Sequence, residues 1–246
     1  MNPFEYQLMF QVEDRHWWYQ GMASISRAFL NRWYLPGGNL EILDAGCGTG
    51  ASMAGFLAEY GRVTGADISA CALGFCQQRA LPNLTQASIM HLPFADHAFD
   101  VVTSFDVLSD GAVPNDLAPI KEFFRVLIPG GRVLLRLPAY PWLRGRHDQA
   151  VLTVRRYTVR TARSLLEQAG FYVEHVSYAN TLLFPLIVLK RFSEHLLPPR
   201  NQASDLQFNP GSFNALLKSL LSLEAGPAAS RGLPFGVSLF ILGRRL

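Results

Sequence analysis

The side chains best suited to chemistry lie between Ala139 and Thr158. That segment combines aromatic, basic, histidine and acidic residues, namely Tyr140, Trp142, Arg144, Arg146, His147, Asp148, Arg155, Arg156 and Tyr157. Histidine titrates near neutral pH, and a neighbouring acid can orient its imidazole, so the pair can act as a general base. We therefore consider His147, Asp148 and Tyr157 as candidate catalytic groups. The alternative is a solvated polar loop.

Arg155 and Arg156 form a second candidate group in this segment. A guanidinium group binds carboxylate or phosphate through two parallel hydrogen bonds, so the pair could hold an anionic substrate. The alternative is an ion pair between Arg156 and Asp148 at the surface. We expect one arginine to have a structural role and the other to contact the ligand.

A glycine-rich turn follows the apolar segment Leu40–Leu43, which predicts a short buried strand. Residues 51–60 predict a helix, with Met53, Phe56 and Leu57 on one face. Backbone N–H groups and the positive end of a helix would face a ligand at such a turn. A plain strand-to-helix turn is the alternative, because a Gly-x-Gly pattern alone is weak evidence.

Asp67 ends a second predicted strand, which begins at Arg62. It follows the glycine turn by about 20 residues, the spacing at which a carboxylate can accept hydrogen bonds from ribose hydroxyls. Asp67 could instead cap a helix over 69–79, and the two roles are compatible. Together the turn and the acid predict a cofactor that carries a nucleoside.

Apolar periodicity and turn residues predict the elements that position these groups. The further predicted strands are Leu84–Ser88, Phe99–Phe105, Arg132–Leu137, Phe171–Tyr178 and Gly236–Gly243. The further predicted helices are Arg15–Tyr34, Cys71–Ala80, Asn115–Leu127, Thr161–Ala169, Leu182–Leu197 and Ser212–Leu223, with a polar loop over Pro198–Pro210. The strand ends bring the candidate residues to one edge of a sheet.

Three stretches resemble the class I S-adenosylmethionine-dependent methyltransferases. Ile42–Gly50 resembles the first motif of that family, His91–Val102 its fourth-strand motif, and Glu122–Gly131 the turn before its fifth strand. The order and spacing agree from about Leu40 to Leu137. NAD-binding Rossmann proteins favour a third glycine further into the helix, where this chain has Ala51 and Ser52.

The resemblance implies an α/β fold, a Rossmann-like doubly wound sheet of seven strands with a helical cap. The strands would be mostly parallel, with the last strand antiparallel between the fifth and sixth. We expect a single domain over residues 1–246. Its parts would be an N-terminal helical lid (1–35), a cofactor-binding core (40–180), a helical cap (181–235) and a final strand (236–246).

The resemblance also implies S-adenosylmethionine as cofactor and S-adenosylhomocysteine as product. The residues expected at the cofactor are Asp44 at the turn or the amine, Gly46, Cys47, Gly48 and Gly50 along the methionine portion, Asp67 at the ribose, Ile68, Ser88 and Ile89 at the adenine, and Ser104, Phe105 and Tyr19 nearby. The family usually has an acid where Ser88 stands. A hydroxyl can still accept that hydrogen bond, although without a charge.

The sequence His16-Trp17-Trp18-Tyr19 resembles a motif in a subset of bacterial small-molecule methyltransferases. These aromatics could close over the cofactor or simply pack on the sheet. The run from Arg155 to Thr158 resembles a second motif of that subset, but Thr153 stands where those relatives often carry histidine. If that histidine is their base, His147 or His16 could replace it here. We expect His16, Trp17 and Tyr140 to contact the substrate.

Composition excludes few classes of function. A net charge of +3 and the absence of an Asn-Pro-Pro-Tyr motif argue against nucleic acid as a partner. Three cysteines without metal-ligand spacing, and no signal-peptide pattern, predict a cytoplasmic protein with no metal. The longest apolar run, Thr181–Leu189, is too short to span a membrane, although the helix predicted over Leu182–Leu197 could contact a membrane surface or form a homodimer.

The expected function is methyl transfer to a small molecule, possibly anionic, through an O- or C-nucleophile. Two alternatives remain open. The same fold could bind the cofactor but catalyse a reaction without methyl transfer, such as a cyclisation, or the chain could be a non-catalytic scaffold subunit.

Overall fold

A computed structural model describes residues 3–196 and 211–246, with the side chains of 194–196 not described. A seven-stranded sheet runs through the molecule in the order β3-β2-β1-β4-β5-β7-β6. The strands are β1 (Leu40–Ala45), β2 (Gly61–Asp67), β3 (Leu84–Gln86), β4 (Phe99–Phe105), β5 (Leu127–Pro138), β6 (Phe171–Ala179) and β7 (Ser238–Arg245). Strand β7 is antiparallel to β5 and β6, and the other pairs are parallel. The predicted fold class is confirmed.

Ten α-helices lie in the described part of the chain. They are α1 (Pro3–Val12), α2 (Trp17–Leu30), α3 (Ala51–Ala54), α4 (Ala70–Gln78), α5 (Leu117–Val126), α6 (Arg146–Ala150), α7 (Val159–Gln168), α8 (Phe184–Leu196), α9 (Asn214–Leu223) and α10 (Ala225–Ser230). The polar loop predicted at 198–210 falls outside the described residues.

Three element predictions were wrong in detail. The helix predicted over 51–60 stops at Ala54, because Gly55 leaves helical geometry and a 3-10 turn follows over Phe56–Glu59. Strand β5 begins at Leu127 rather than Arg132. Helices α1 and α10 were not expected.

The sheet is buried on both faces. Adjacent strand residues point to opposite faces, so Ile42 and Leu43 of β1 belong to two different apolar clusters, as do Val101 and Val102 of β4. This pattern is expected for parallel strands covered by helices on both sides. The central strands therefore hold their carboxyl ends rigidly, and the site is built there.

Helix α2 packs onto one face of the sheet through Met22, Ile25 and Phe29, which recur at three- and four-residue spacing. The Phe29 ring stacks on Phe240 of β7 with centroids 5.1 Å apart. Gly21 lies one turn before Ile25 on the buried part of α2, and an added Cβ there would lie within 2.8 Å of three side-chain atoms of Leu221. Helix α2 is thus a close-packed element between the sheet and α9.

No helix in the described ranges 3–196 and 211–246 is both long and apolar enough to cross a membrane.

Candidate functional site

The turn after β1 brings backbone N–H groups to the carboxyl ends of the strands. Gly46 and Gly48 have φ of +82° and +55°, a conformation that side-chain-bearing residues rarely adopt. The N–H of Gly46 donates to the Ala66 carbonyl at 2.7 Å, which holds the turn against β2. Glycine at these positions lets the chain reverse with its backbone exposed to a ligand.

Asp67 at the end of β2 is tied directly to this turn. Its Oδ2 accepts from the Gly48 N–H at 2.9 Å and its Oδ1 from the Ser69 N–H at 2.8 Å. Burial is the main cause of the raised pKa of this carboxyl. Helix α4 is capped by Ser69, whose hydroxyl accepts from the Ala72 N–H, so the alternative reading of Asp67 as a helix cap was wrong.

Asp44 at the end of β1 is a buried acid, 2% exposed. It borders a cavity that begins at the glycine turn. Its Oδ1 accepts a 2.8 Å hydrogen bond from the Thr103 hydroxyl of β4. Burial raises the pKa of Asp44 to about 7, although Thr103 and the positive charge of Arg136 lower it in part. Such a carboxyl gains strongly from a cationic ligand group, because a buried charge is costly without a partner.

The segment after α1 fastens the N-terminal region to the glycine turn. Glu13 is 4% exposed and accepts hydrogen bonds from the Thr49 hydroxyl and from Arg79 Nη2, the latter at 2.8 Å. Arg79 also donates from Nε to the Thr49 carbonyl at 2.9 Å. Sequence reasoning missed this network, since partners 66 residues apart share no local pattern.

A cavity of about 1090 Å³ extends from the glycine turn across the sheet edge. Fifteen of the predicted site residues border it, namely Asp44, Gly46, Cys47, Gly48, Asp67, Ile68, Ser88, Ile89, Phe105, Tyr19, His16, Trp17, His147, Asp148 and Arg156. Most of the residues predicted from the sequence therefore lie around one cavity.

Five predicted site residues lie outside the cavity wall, namely Gly50, Ser104, Tyr140, Arg155 and Tyr157. Gly50 faces Leu81 and Cys76, which an added Cβ would meet at 2.5 and 3.0 Å. The Ser104 hydroxyl donates to the Ala45 carbonyl at 2.8 Å and so joins β4 to β1. Gly50 and Ser104 therefore support the glycine turn without bordering the cavity.

Tyr157, expected as a catalytic group, is a core residue that the structure does not bring to the cavity. Its side chain is 3% exposed, and its hydroxyl lies 3.1 Å from both the Leu108 carbonyl and Asp116 Oδ2. Burial raises the pKa of this hydroxyl. The residue joins the β4–α5 connection to the segment before α7.

The guanidinium groups of Arg155 and Arg156 both bind other groups of the protein, so neither is available to bind a substrate in the way expected. Arg155 donates to the backbone carbonyls of Val113 and Pro114 and does not border the cavity. Arg156 forms a two-bond ion pair with Asp148, 2.9 Å from Nε to Oδ1 and 3.1 Å from Nη2 to Oδ2. That pair was the alternative considered, but it is buried rather than at the surface, with side chains 6% and 2% exposed.

Asp148 is consequently directed at Arg156 and at the Gly145 N–H, which donates to it at 2.7 Å. The expectation that Asp148 orients the imidazole of His147 finds no support in these bonds. His147 itself borders the cavity from α6. It therefore stays a candidate base.

Tyr140 belongs to an aromatic stack beside the site. Its ring lies 5.0 Å from that of Tyr178 and 5.4 Å from that of Trp142, both nearly parallel to it. The backbone at Tyr140 has a φ of +57°. The stack fixes the start of the segment that leads to α6, and Tyr140, expected at the substrate, lies beside the cavity rather than in its wall.

Arg136 was not predicted, although a charged residue in an apolar strand is a visible signal. It projects from β5 between the rings of Trp18 and Phe105, 4.8 and 5.0 Å from their centroids. Its Nε donates to Asp106 Oδ2 at 2.7 Å. Through these cation–π contacts, Arg136 connects Trp18 at the start of α2 with Phe105 at the end of β4, and all three residues border the cavity.

Comparison with known proteins agrees with this geometry. Residues 43–135, which include the glycine turn and β4, match the family model described as a methyltransferase domain. This part of the chain is similar to a methyltransferase domain. Its relatives include a demethylmenaquinone methyltransferase of Lactiplantibacillus plantarum, 35% identical over 130 residues, which are 49% of this chain and 50% of the relative. The chain thus spans about half the length of the curated relatives it matches.

Solved structures of the methyltransferase fold align along most of the chain. One belongs to a Haloferax volcanii complex that contains a methyltransferase activator, with a TM-score of 0.63, 17% identity, and coverage of 99% of this chain and 93% of that one. Another is the geranyl diphosphate C-methyltransferase of Streptomyces coelicolor, solved with S-adenosyl-L-homocysteine. Its TM-score is 0.59 at 15% identity, covering 90% of this chain and 80% of that one. At these identities the likeness shows the fold.

Proposed function

We propose that the protein binds S-adenosylmethionine at the glycine turn and transfers its methyl group to a small, largely apolar molecule. The observation that carries the proposal is the convergence of Asp44, Asp67 and the turn of Gly46–Gly48 on one cavity. Within the methyltransferase domain, these are the groups that an amino acid joined to a nucleoside requires.

The residues present fit the cofactor. The buried carboxyl of Asp44 suits the ammonium group, and the turn of Gly46, Cys47 and Gly48 borders the space for the methionine portion. Asp67 can accept from the ribose hydroxyls. Ile68 and Ile89 offer apolar surfaces to the adenine ring, and the Ser88 hydroxyl can accept from its amino group.

The bound sulfonium would supply an electrophilic methyl group. The chain then has to align the acceptor with that group and exclude water, since in-line displacement depends chiefly on proximity and orientation. The glycine turn, Asp44 and Asp67 would hold the cofactor, which is one of the two reactants. His147 and His16 border the cavity and are the candidate bases for an acceptor that must lose a proton.

The rest of the cavity is mainly apolar, which favours an apolar acceptor. Its apolar lining includes Trp17, Trp18, Ala23, Val113, Val151, Leu183, Leu186, Ile187, Leu217 and Val237. Lys190, Arg191 and Lys218 border the same cavity, so an anionic group on the acceptor is compatible with it. The name of the curated relatives makes 1,4-dihydroxynaphthalene a suitable first acceptor to test.

Mass spectrometry of reactions with S-adenosylmethionine and a panel of hydroxylated aromatic compounds tests the proposal. We expect S-adenosylhomocysteine and an acceptor heavier by one methylene unit to form together. Consumption of an acceptor without a change in mass would instead support a cyclisation or another reaction without methyl transfer. No turnover of any compound by a protein that binds the cofactor would favour the scaffold alternative.

A further inference from the structure

A polar part of the cavity wall lies at the carboxyl ends of β5 and β6, on strands that carry none of the proposed cofactor contacts. Ser238, at the start of β7, pairs with Pro138 of β5 on one side and with Ala179 of β6 on the other. Asn180 follows Ala179 directly. Pro138, Asn180 and Ser238 all border the cavity.

Asn180 is unusual among these residues. It is 1% exposed, and its Oδ1 has no hydrogen-bond partner among the residues that the structure describes. A buried amide oxygen without a partner is costly, because folding removes its bonds to water without replacing them. Because Asn180 borders the cavity, a ligand bound there could supply the missing hydrogen-bond donor.

The backbone at Asn180 supports the same interpretation. Its φ is +61°, in the left-handed region that asparagine tolerates better than most residues. This conformation ends β6 abruptly and turns the chain toward Leu183 and α8. The neighbouring residues that also border the cavity, Leu183 and Val237, have apolar side chains and offer no donor to the amide.

We propose that the Asn180 amide, together with Ser238 in the same cavity wall, binds a neutral hydroxyl group of the methyl acceptor. The acceptor's O–H would donate to Asn180 Oδ1, and its oxygen could accept from Ser238. Asn180 is then a positioning and specificity-determining residue, because an amide neither takes up nor releases a proton near neutral pH. The proposal rests on the proposed function in one respect, namely that the molecule bound at Asn180 is the methyl acceptor.

Binding of two compounds that differ by one hydroxyl tests the proposal directly. Equilibrium dialysis of 2-naphthol and of naphthalene gives the preference for the hydroxyl in wild type and in Asn180→Gly, which removes the amide but permits the same φ. We expect the variant to lose at least about tenfold of the wild-type preference for 2-naphthol, the size expected when a buried polar partner is left unpaired. Asn180→Asp, which retains an acceptor oxygen, should keep the preference.

Asn83→Gly is the matched control, because Asn83 has a φ of +57° and does not border the cavity. It should bind both compounds as the wild type does. An equal preference in wild type and Asn180→Gly, or no binding of 2-naphthol to the wild type, would overturn the proposal; a water molecule satisfying Asn180 would give the first of these results. Titration with S-adenosylhomocysteine, expected to be unchanged in Asn180→Gly, reports separately on the proposed cofactor site.

Discussion

At the scale of single residues, Asp44 is the most informative group of the site. It is buried beside Thr103 at the end of β1, and its pKa is raised to about 7 chiefly by burial. In the free protein the carboxyl is therefore half protonated near neutral pH. An ammonium group beside it would favour the ionised form.

The titration of Asp44 predicts how cofactor affinity depends on pH. Only the ionised carboxyl attracts the ammonium group of S-adenosylhomocysteine, so the affinity should fall as the pH drops below about 7, by up to about tenfold per pH unit. Asp44→Asn should bind more weakly at pH 8 and lose most of this dependence between pH 8 and 6. Calorimetry across that range measures both. A wild-type profile identical to that of Asp44→Asn would refute the role of this acid.

The same acid predicts how stability varies with pH in the absence of ligand. The folded pKa of Asp44 lies above its ordinary value, so the folded protein holds a proton that the unfolded chain releases. This contribution lowers stability as the pH rises from about 4 to about 7 and is constant above. Asp44→Asn should lack it and should gain stability relative to wild type most clearly above pH 7, as measured by urea unfolding. A stability difference that does not change with pH would contradict this assignment.

The residues that the sequence predicted well are those whose roles follow from position on a strand. Asp44 and Asp67 end strands, and parallel strands present their carboxyl ends at one edge. Tyr157 and Arg155 were predicted as site residues because their types suit catalysis and anion binding, but the structure places both outside the cavity wall. Nothing local in the sequence indicates that Leu108, Val113 and Asp116 would occupy their polar groups.

At the scale of elements, the N-terminal region is held to the core by one buried network. Arg79 Nη2 contacts Glu13 at 2.8 Å and Asp14 at 3.0 Å, but the Glu13 side chain is 4% exposed and that of Asp14 58%. These two acids share one cation and differ mainly in burial. Their contributions to stability should differ accordingly.

Glu13→Ala should lower the free energy of unfolding by about 3 kcal/mol, because it leaves Thr49 and Arg79 without a buried partner. Asp14→Ala should cost less than about 1 kcal/mol, the usual range for an exposed ion pair. Urea unfolding of both variants provides the comparison. Equal losses would mean that burial of Glu13 contributes nothing to the attachment of this segment.

The contact between α2 and α9 gives a second test at this scale. Gly21→Ala places a Cβ against Leu221, and overpacking of this kind typically costs about 1–3 kcal/mol. Gly74→Ala in α4 is the matched control, since no atom lies within 4 Å of its added Cβ. The control should be neutral or stabilising by up to about 1 kcal/mol, owing to the better helix propensity of alanine. Thermal unfolding that moves in the same direction for both variants would refute the close packing of α2.

At the scale of the whole molecule, the sheet order explains why distant segments meet at one cavity. The glycine turn follows β1, and Asp67 is the last residue of the adjacent strand β2. Strand β4, which ends at Phe105, lies on the other side of β1. The insertion of β7 between β5 and β6 then brings Ser238 opposite Ala179, the residue before Asn180. The family resemblance anticipated this place of the last strand, whereas apolar periodicity alone indicates strands without their neighbours.

Elements that depend on tertiary contacts were harder to predict. Helix α1 packs over the turn through Met9 and Phe10, the latter ring 4.8 Å from that of Phe75. Its apolar residues have little helical periodicity, so this helix is not visible in the sequence pattern. Asn180 could have been found by asking which polar residue follows the sixth strand, because ligands bind at such strand ends.

Calorimetric titration of the purified protein with S-adenosylhomocysteine tests the central claim most directly. Saturable binding at one site is predicted for wild type and for Asp96→Ala, which removes an exposed acid at the surface that pairs with Arg125. Asp67→Ala, which removes the acid at the end of β2, should bind at least about tenfold more weakly through the lost hydrogen bonds to the ribose. Absence of binding to the wild type, or full affinity in Asp67→Ala, would contradict the assignment of this cavity as the cofactor site.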